Sequence, residues 1–155
     1  MRHPRIPEET KPQDEQQARL TETLAVLSPI RAYRHSKSQR IWYQQRQELA
    51  KIKQSVEAKK RQIEHQLQQQ RQLRQQFETD HLNKPMSPHS LNDWLNNERE
   101  MQQAIDIEQQ ALRQLESAQL KQQQHVEHVF QKMQAQQRDI AKLEEMQRWL
   151  DKEQT

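Results

Sequence analysis

Apolar residues in the second half of the chain recur at alternating steps of three and four positions. This is the spacing of the buried face of a coiled-coil helix. One such frame runs from Leu91 to Leu150 without a slip, and twelve of its eighteen positions are apolar. Those twelve are Leu91, Trp94, Met101, Ile105, Leu112, Leu115, Val126, Val129, Met133, Ile140, Leu143 and Leu150. The pattern predicts a helix over 91–153 that packs its apolar face against another helix.

The first half of the chain carries a looser frame of the same kind. It predicts a helix over 29–78, although three of its positions (Lys59, Gln66 and Gln70) are polar. The full frame consists of Trp42, Leu49, Ile52, Val56, Lys59, Ile63, Gln66, Gln70, Leu73 and Phe77. Polar residues in a coiled-coil seam lower stability and help to fix the register.

The start of the first helix has two interpretations. Ser28 followed by Pro29 matches a helix cap with proline at the first helical position. Alternatively, proline lies inside one continuous helix and kinks it. Residues 16–27 place leucines at helical spacing and predict a short amphipathic helix, whereas the prolines and charges of 1–15 predict a disordered tail. Residues 1–27 are therefore interpreted as a disordered or partly helical N-terminal extension.

A short loop separates the two predicted helices. Residues 79–90 contain two prolines among turn-forming residues, and Ser90 with Asp93 resembles a capping box that starts the second helix near residue 91. Two long helices joined by a short loop predict an all-α fold. We expect residues 28–155 to form an elongated antiparallel two-helix coiled-coil hairpin.

The composition predicts a small helical core and excludes several kinds of functional site. Hydrophobic residues make up 31% of the 155 residues, against about 45–50% in globular domains. Glycine and cysteine are absent, which excludes glycine-rich phosphate loops, disulfides, thiolate zinc sites and cysteine nucleophiles. The 31 glutamines and many charged residues are good helix formers. The sequence contains no apolar run long enough to predict a membrane-spanning helix. The first residues lack the apolar core of a secretory signal.

The polar residues do not predict an enzyme. The carboxylates lie along a predicted two-helix surface, where no cleft would shift their pKa values. His125 and His128 lie one turn apart, but no third metal ligand follows at a matching spacing. We therefore interpret them as part of a solvated face, and the sequence predicts no catalytic, cofactor-binding or metal site.

Charge is distributed unequally between the two predicted helices. Residues 31–61 contain ten Lys or Arg and two Glu, whereas residues 89–155 contain eight Lys or Arg and twelve Asp or Glu. Opposite charge favours pairing of the two helices. The basic 31–61 stripe also leaves open a nucleic-acid-associated coiled coil, and a homodimer in which the second helix pairs with its own copy is a further alternative. The net charge of +3 is too weak to make nucleic acid an expected partner.

Trp94 is a candidate binding residue beside the loop. A bulky indole in a two-helix seam remains partly exposed, and exposed aromatic residues often anchor protein partners. The alternative is that Trp94 simply covers the end of the coiled coil. Leu91, Leu95 and Met101 lie near it along the helix, and Met86 lies in the loop.

The chain resembles the stalk proteins of type III secretion. These are the YscO-type proteins of virulence injectisomes, which are related to flagellar FliJ. The resemblance covers about residues 28–150 and consists of two unequal helices, a basic first-helix start (SPIRAYRHSKSQR) and a second helix that opens with SLNDWLNNEREMQQAI. Glu98 stands where the family tends to have an apolar residue.

The resemblance implies a non-enzymatic protein of the bacterial cytoplasm, peripheral to the base of a membrane-embedded secretion apparatus. It implies that the hairpin stands in the pore of the hexameric secretion ATPase and reaches the export gate, and secretion chaperones are among the partners it suggests. The implied gate-contact residues are Met86, Leu91, Trp94, Leu95, Met101 and Ile105. The implied ATPase-contact residues are Arg31, Arg34, Lys37, Trp149 and Leu150.

Overall fold

The computed structural model describes residues 12–154, which form two long helices. Helix α1 spans Pro12–Asp80 and helix α2 spans Pro88–Gln154. The two helices pack against each other, and no strand occurs between residues 12 and 154. The predicted all-α helical hairpin is therefore confirmed.

The chain divides into two units, each containing parts of both helices. The described residues of Met1–Gln44 and Val126–Thr155 form one, which we call the terminal unit. Residues Gln45–His125 form the other, which we call the loop unit. Each unit has its own buried apolar side chains. Val56, Ile63 and Ile105 are buried in the loop unit, and Leu24, Val129, Met133 and Leu150 are buried in the terminal unit.

Side-chain pairs across the helices show an antiparallel arrangement within each unit. In the loop unit Gln45 contacts Gln122, and Lys59 contacts Glu108. In the terminal unit Arg31 contacts Asp139, and Trp42 contacts Phe130. In both units the residue number in α2 falls as the number in α1 rises.

The two predicted coiled-coil frames coincide with the observed packing faces. Every frame position is buried or half-buried except Leu73 and Leu91, which are 48% and 41% exposed. The frames therefore identified the contact face of both helices, because a repeat of about 3.5 residues keeps one stripe turned towards the partner helix.

Helix α1 begins at Pro12, so the predicted start at Pro29 is wrong. Pro29 lies inside the helix, which agrees with the alternative of one continuous helix. Proline removes one backbone hydrogen bond and its ring crowds the preceding turn. Packing on both sides offsets this cost, since Leu24 before the proline and Ser38 after it are 2% and 7% exposed. Residues 12–15 are helical rather than disordered, and the rest of the predicted tail, residues 1–11, lies outside the described part of the chain.

The cap of α2 is Ser87 rather than Ser90. The Ser87 side-chain oxygen accepts a hydrogen bond from the backbone N–H of Ser90 at 3.2 Å, and the Leu91 N–H donates to the Ser87 carbonyl at 3.1 Å. Pro88 is then the first helical residue, where its missing N–H needs no partner. The predicted capping box of Ser90 and Asp93 is wrong, and the predicted start at residue 91 is one turn too late.

The loop after α1 uses asparagine where other chains use glycine. Asn83 has a φ of 65°, and it is the one non-glycine residue with positive φ between residues 12 and 154. Asparagine tolerates this left-handed conformation better than most residues. The His81 N–H donates to the Phe77 carbonyl, and the Lys84 N–H donates to the His81 carbonyl. These bonds end α1 at Asp80, two residues later than predicted.

Candidate protein-interaction sites

Trp94 belongs to a stack of three rings beside the loop. The Trp94 ring lies on the Phe77 ring with centroids 4.0 Å apart, and Phe77 lies on the His81 ring at 4.5 Å. His81 Nδ1 is 2.9 Å from the Phe77 carbonyl oxygen. A carbonyl oxygen only accepts hydrogen bonds, so Nδ1 carries the proton in this contact. Trp94 is half-buried, and its contact with the Phe77 ring holds it in place. Part of the indole remains at the surface.

A small groove runs beside Trp94 in the loop unit. Its volume is about 130 Å³, and its lining includes Leu73, Trp94 and Met101. Arg74 and Glu98 form an ion pair across the helices at the same groove. The Arg74 cation stabilises the Glu98 carboxylate, which explains why an acidic residue is tolerated at a seam position of α2. Arg74 lies outside the predicted frame, so the periodicity did not identify it as a partner.

The predicted gate-contact residues differ greatly in exposure. Leu91 and Leu95 are exposed, while Met86, Trp94 and Met101 are half-buried. Ile105 is only 1% exposed, so its assignment as a contact residue is wrong. It is a core residue of the loop unit, because a frame position far from the loop faces the other helix.

Leu82 is an exposed apolar residue that the sequence reasoning missed. Its side chain is 68% exposed in the loop between the helices. It lies outside both periodic frames, so helical periodicity gave no signal for it. An apolar residue within a polar loop was the signal available. Leu82 lies in the loop, and the exposed Leu91 and Leu95 lie near the start of α2. We call these three residues the loop leucines.

Two pairs of polar residues join the helices in the seam of the loop unit. Lys59 Nζ lies 2.6 Å from Glu108 Oε2, and both side chains are about three-quarters buried. Gln122 Nε2 donates to the carbonyl oxygen of Gln45 and to its Oε1, at 3.0 and 2.8 Å. The contacts of these two pairs therefore join the two helices, whereas the buried Oε1 of the seam residue Gln66 has no hydrogen-bond partner among the described residues.

The predicted ATPase-contact residues in the terminal unit also differ in exposure. Arg34 and Lys37 are exposed, and Trp149 is 53% exposed. Arg31 Nη1 lies 3.4 Å from Asp139 Oδ2, so part of its charge is used within the unit. Leu150 is 1% exposed, and its assignment as a contact residue is wrong because its side chain forms part of the core.

Trp149 shares an open groove with residues that the sequence reasoning did not assign to a site. The groove is lined by Leu20 and Met146 together with Lys142 and Glu145. Leu20 is 39% exposed and Met146 is 49% exposed. Met146 and Trp149 are three residues apart and lie outside the α2 frame, and that spacing was the available signal for a second apolar strip on the helix.

Trp42 in the basic part of α1 has a structural role. Its ring lies 5.5 Å from the Phe130 ring and 5.2 Å from the Tyr43 ring. It therefore packs within the terminal unit, whereas Tyr33 and Tyr43 are 63% and 59% exposed.

The described residues hold no cluster suited to a metal ion. Between residues 12 and 154, no three His, Asp or Glu side chains come together. His125 and His128 are both exposed. No helix in the same range is long and apolar enough to cross a membrane.

No family model, curated protein or solved structure matches this chain. The helical hairpin and its exposed side chains are therefore the basis for its functional interpretation.

Proposed function

We propose that the chain is a non-enzymatic stalk or coupling protein of a bacterial type III secretion system. In this role it links the hexameric secretion ATPase to the export gate. The observation that carries the proposal is the pairing of two helices of 69 and 67 residues in one hairpin. The likeness of its helix openings to those of the secretion stalk proteins supports the same assignment.

The proposed gate contact uses the loop leucines (Leu82, Leu91 and Leu95). Leu91 and Leu95 lie one turn apart on α2, and neighbouring exposed apolar residues often mark an interaction site. The ring of Trp94, stacked on Phe77, supplies a rigid half-buried surface next to them. Rigid aromatic side chains lose little conformational entropy on binding, which suits them as anchors.

The proposed ATPase contact uses Arg34, Lys37 and Trp149 in the terminal unit. The two cations are exposed, and the indole is half-exposed beside Leu20 and Met146. Arg31 contributes less, because its guanidinium already pairs with Asp139. Cations at a surface suit contact with an acidic ring, and such a contact weakens as salt screens the charges.

The gate contact is tested by replacing Leu91 and Leu95 with serine. Affinity for the purified export-gate protein should fall at least about tenfold, which corresponds to about 1.4 kcal/mol. Leu120→Ser is the matched control, since Leu120 is a leucine of α2 that is 57% exposed and lies outside the proposed contact. Equal affinity of the double variant and the control would remove the loop leucines from the contact.

The ATPase contact is tested separately by the double variant Arg34→Glu and Lys37→Glu. Binding to a purified secretion ATPase should weaken strongly at low salt, and the difference from wild type should shrink at high salt. Lys132→Glu on α2 is the matched control, since Lys132 is exposed in the same unit. If neither the wild-type chain nor any variant captures the ATPase or the gate protein, the stalk function is wrong.

A further inference from the structure

The N-terminal half of α1 exposes far more apolar surface than the hairpin itself requires. Between residues 20 and 43, six large apolar side chains are exposed, whereas residues 44–80 of the same helix expose only Leu73. Single exposed apolar residues are normal on proteins, but a concentration of them in one segment indicates a binding surface.

Most of these side chains form one stripe along α1. Val26, Ile30, Tyr33 and Ile41 are 58%, 43%, 63% and 36% exposed, and Lys37 fills the step between Tyr33 and Ile41. At about 100° per residue these positions lie within an arc of about 80°. We call them the outer stripe. With Lys37 included, its steps of four, three, four and four keep the positions on one face of the helix, as the steps of a coiled-coil seam do.

The outer stripe is separate from the face of α1 that packs on α2. Leu24 and Ser38 mark the packed face, with 2% and 7% exposure. At about 100° per residue, the packed face lies about 120° around the helix from the outer stripe. This part of α1 therefore carries two seams, of which the hairpin uses one.

Within its own span the outer stripe is accompanied by charge of one sign, and Glu22, which lines a groove with the first residue of the stripe, lies just before that span. Residues 23–47 contain five Lys or Arg and no Asp or Glu. Arg34, Lys37 and Arg40 are exposed and form no ion pair with any residue between 12 and 154. Cations without internal partners, beside an apolar stripe, complement a surface that carries carboxylates.

We propose that the outer stripe binds an acidic amphipathic helix of another protein as a second coiled-coil seam. The spacing selects a helix, because steps of three and four match the side-chain rows of a partner helix. The cations select an acidic helix. A second copy docked stripe to stripe would place Lys37 and Arg34 against like charges. The proposal shares Arg34 and Lys37 with the proposed ATPase contact, but it does not rest on that contact, because Val26, Ile30 and Tyr33 lie outside it.

Other classes of partner fit the outer stripe less well. A membrane-surface helix needs a broad apolar face, whereas this stripe is narrow and has Lys37 within it. A nucleic acid would use the cations but gains nothing from Val26, Ile30 and Ile41. A helix with apolar and acidic positions uses both parts of the surface.

The test uses the full chain and a designed peptide as the probe. The peptide is a fluorescein-labelled helix of four heptads with leucine at the core positions and glutamate beside them. Fluorescence anisotropy should show saturable binding to the wild-type chain. Ile30→Ser with Tyr33→Ser should weaken it at least about tenfold, as expected for the loss of central apolar anchors. Lys37→Glu should weaken it as well, and added salt should reduce the effect of that charge change.

Matched controls distinguish binding at the outer stripe from non-specific hydrophobic binding. Ile107→Ser and Leu120→Ser replace residues that are 69% and 57% exposed elsewhere on the hairpin, and they should leave peptide affinity unchanged. A peptide with lysine in place of glutamate should not bind. A photo-crosslinking residue at position 33 provides a second measurement, and it should label the acidic peptide in the otherwise wild-type chain.

Several results would overturn the proposal. One is equal peptide affinity for the outer-stripe variants and the controls. Another is a lower melting temperature for Ile30→Ser with Tyr33→Ser, together with no crosslinking from position 33, which would make the stripe part of the core. A wild-type chain that ignores the peptide but floats with anionic vesicles, retains RNA or dimerises through Ile30 would assign the outer stripe to that other partner.

Discussion

Replacing Ile105 with alanine should destabilise the hairpin, whereas the same change at Ile107 should not. Ile105 is 1% exposed and Ile107 is 69% exposed, two residues further along α2. The change removes three carbon atoms, which at about 0.8 kcal/mol per buried methylene amounts to about 2.4 kcal/mol at Ile105. Alanine has a better helix propensity than isoleucine and offsets this by a few tenths of a kcal/mol.

The expected net loss at Ile105 is therefore about 2 kcal/mol. A larger cavity term, as in the cores of globular proteins, is not expected, because a seam between two helices can close or admit water. At Ile107 the small transfer loss and the gain in helix propensity nearly cancel, so the change should stay within about 0.5 kcal/mol. Because both variants make the same chemical change on one helix, the difference between them isolates burial.

Urea unfolding followed by far-UV circular dichroism measures both free energies. The unfolding midpoint of Ile105→Ala should fall, with a slope unchanged from wild type. Its melting temperature should drop by about 4–8 °C, at about 2–4 °C per kcal/mol for a chain of this size. Equal stability of the two variants would refute the assignment of Ile105 to the seam. If Ile105→Ala is as stable as the wild-type chain but no longer binds the gate protein, Ile105 is a contact residue after all.

Further substitutions test the ion pair and the helix ends. Lys59→Met should cost about 1–3 kcal/mol because it leaves Glu108 partly buried without its cation, and adding Glu108→Met should recover most of that loss in thermal melts. Ser87→Ala should lower stability by about 1 kcal/mol, whereas Ser28→Ala should be nearly neutral, and the reverse order would show that α1 starts at residue 29. Asn83→Val should lower the melting temperature, because a β-branched residue is strained at positive φ, and an unchanged melt would contradict the left-handed loop conformation.

Helical periodicity predicted most of the fold of this chain. The frames through Val56 and Ile105 placed the packing face correctly on both helices. This works because a side chain's direction on a helix depends only on its position along the sequence. The same periodicity could not separate contact residues from core residues. Ile105 and Leu150 fit the frame as well as Trp94 does, and only the packing shows that they are buried.

The Ser-Pro pairs show why helix ends were harder to predict. Ser28-Pro29 and Ser87-Pro88 carry the same local signal for a helix start. Only the second pair starts a helix. The first lies inside α1, where leucines on its N-terminal side continue the buried face, as Leu24 does at 2% exposure. Tertiary packing on both sides of the proline outweighs the local signal.

Residue spacing and helix propensity were enough to predict two long helices and the apolar face of each. The packing of the helices, which residue spacing does not specify, sets which polar residues pair, such as Lys59 with Glu108 and Arg74 with Glu98. It also leaves the outer stripe of α1 exposed while it covers the neighbouring face. A helical repeat fixes side-chain directions around one axis, whereas pairing and exposure depend on where the second helix lies.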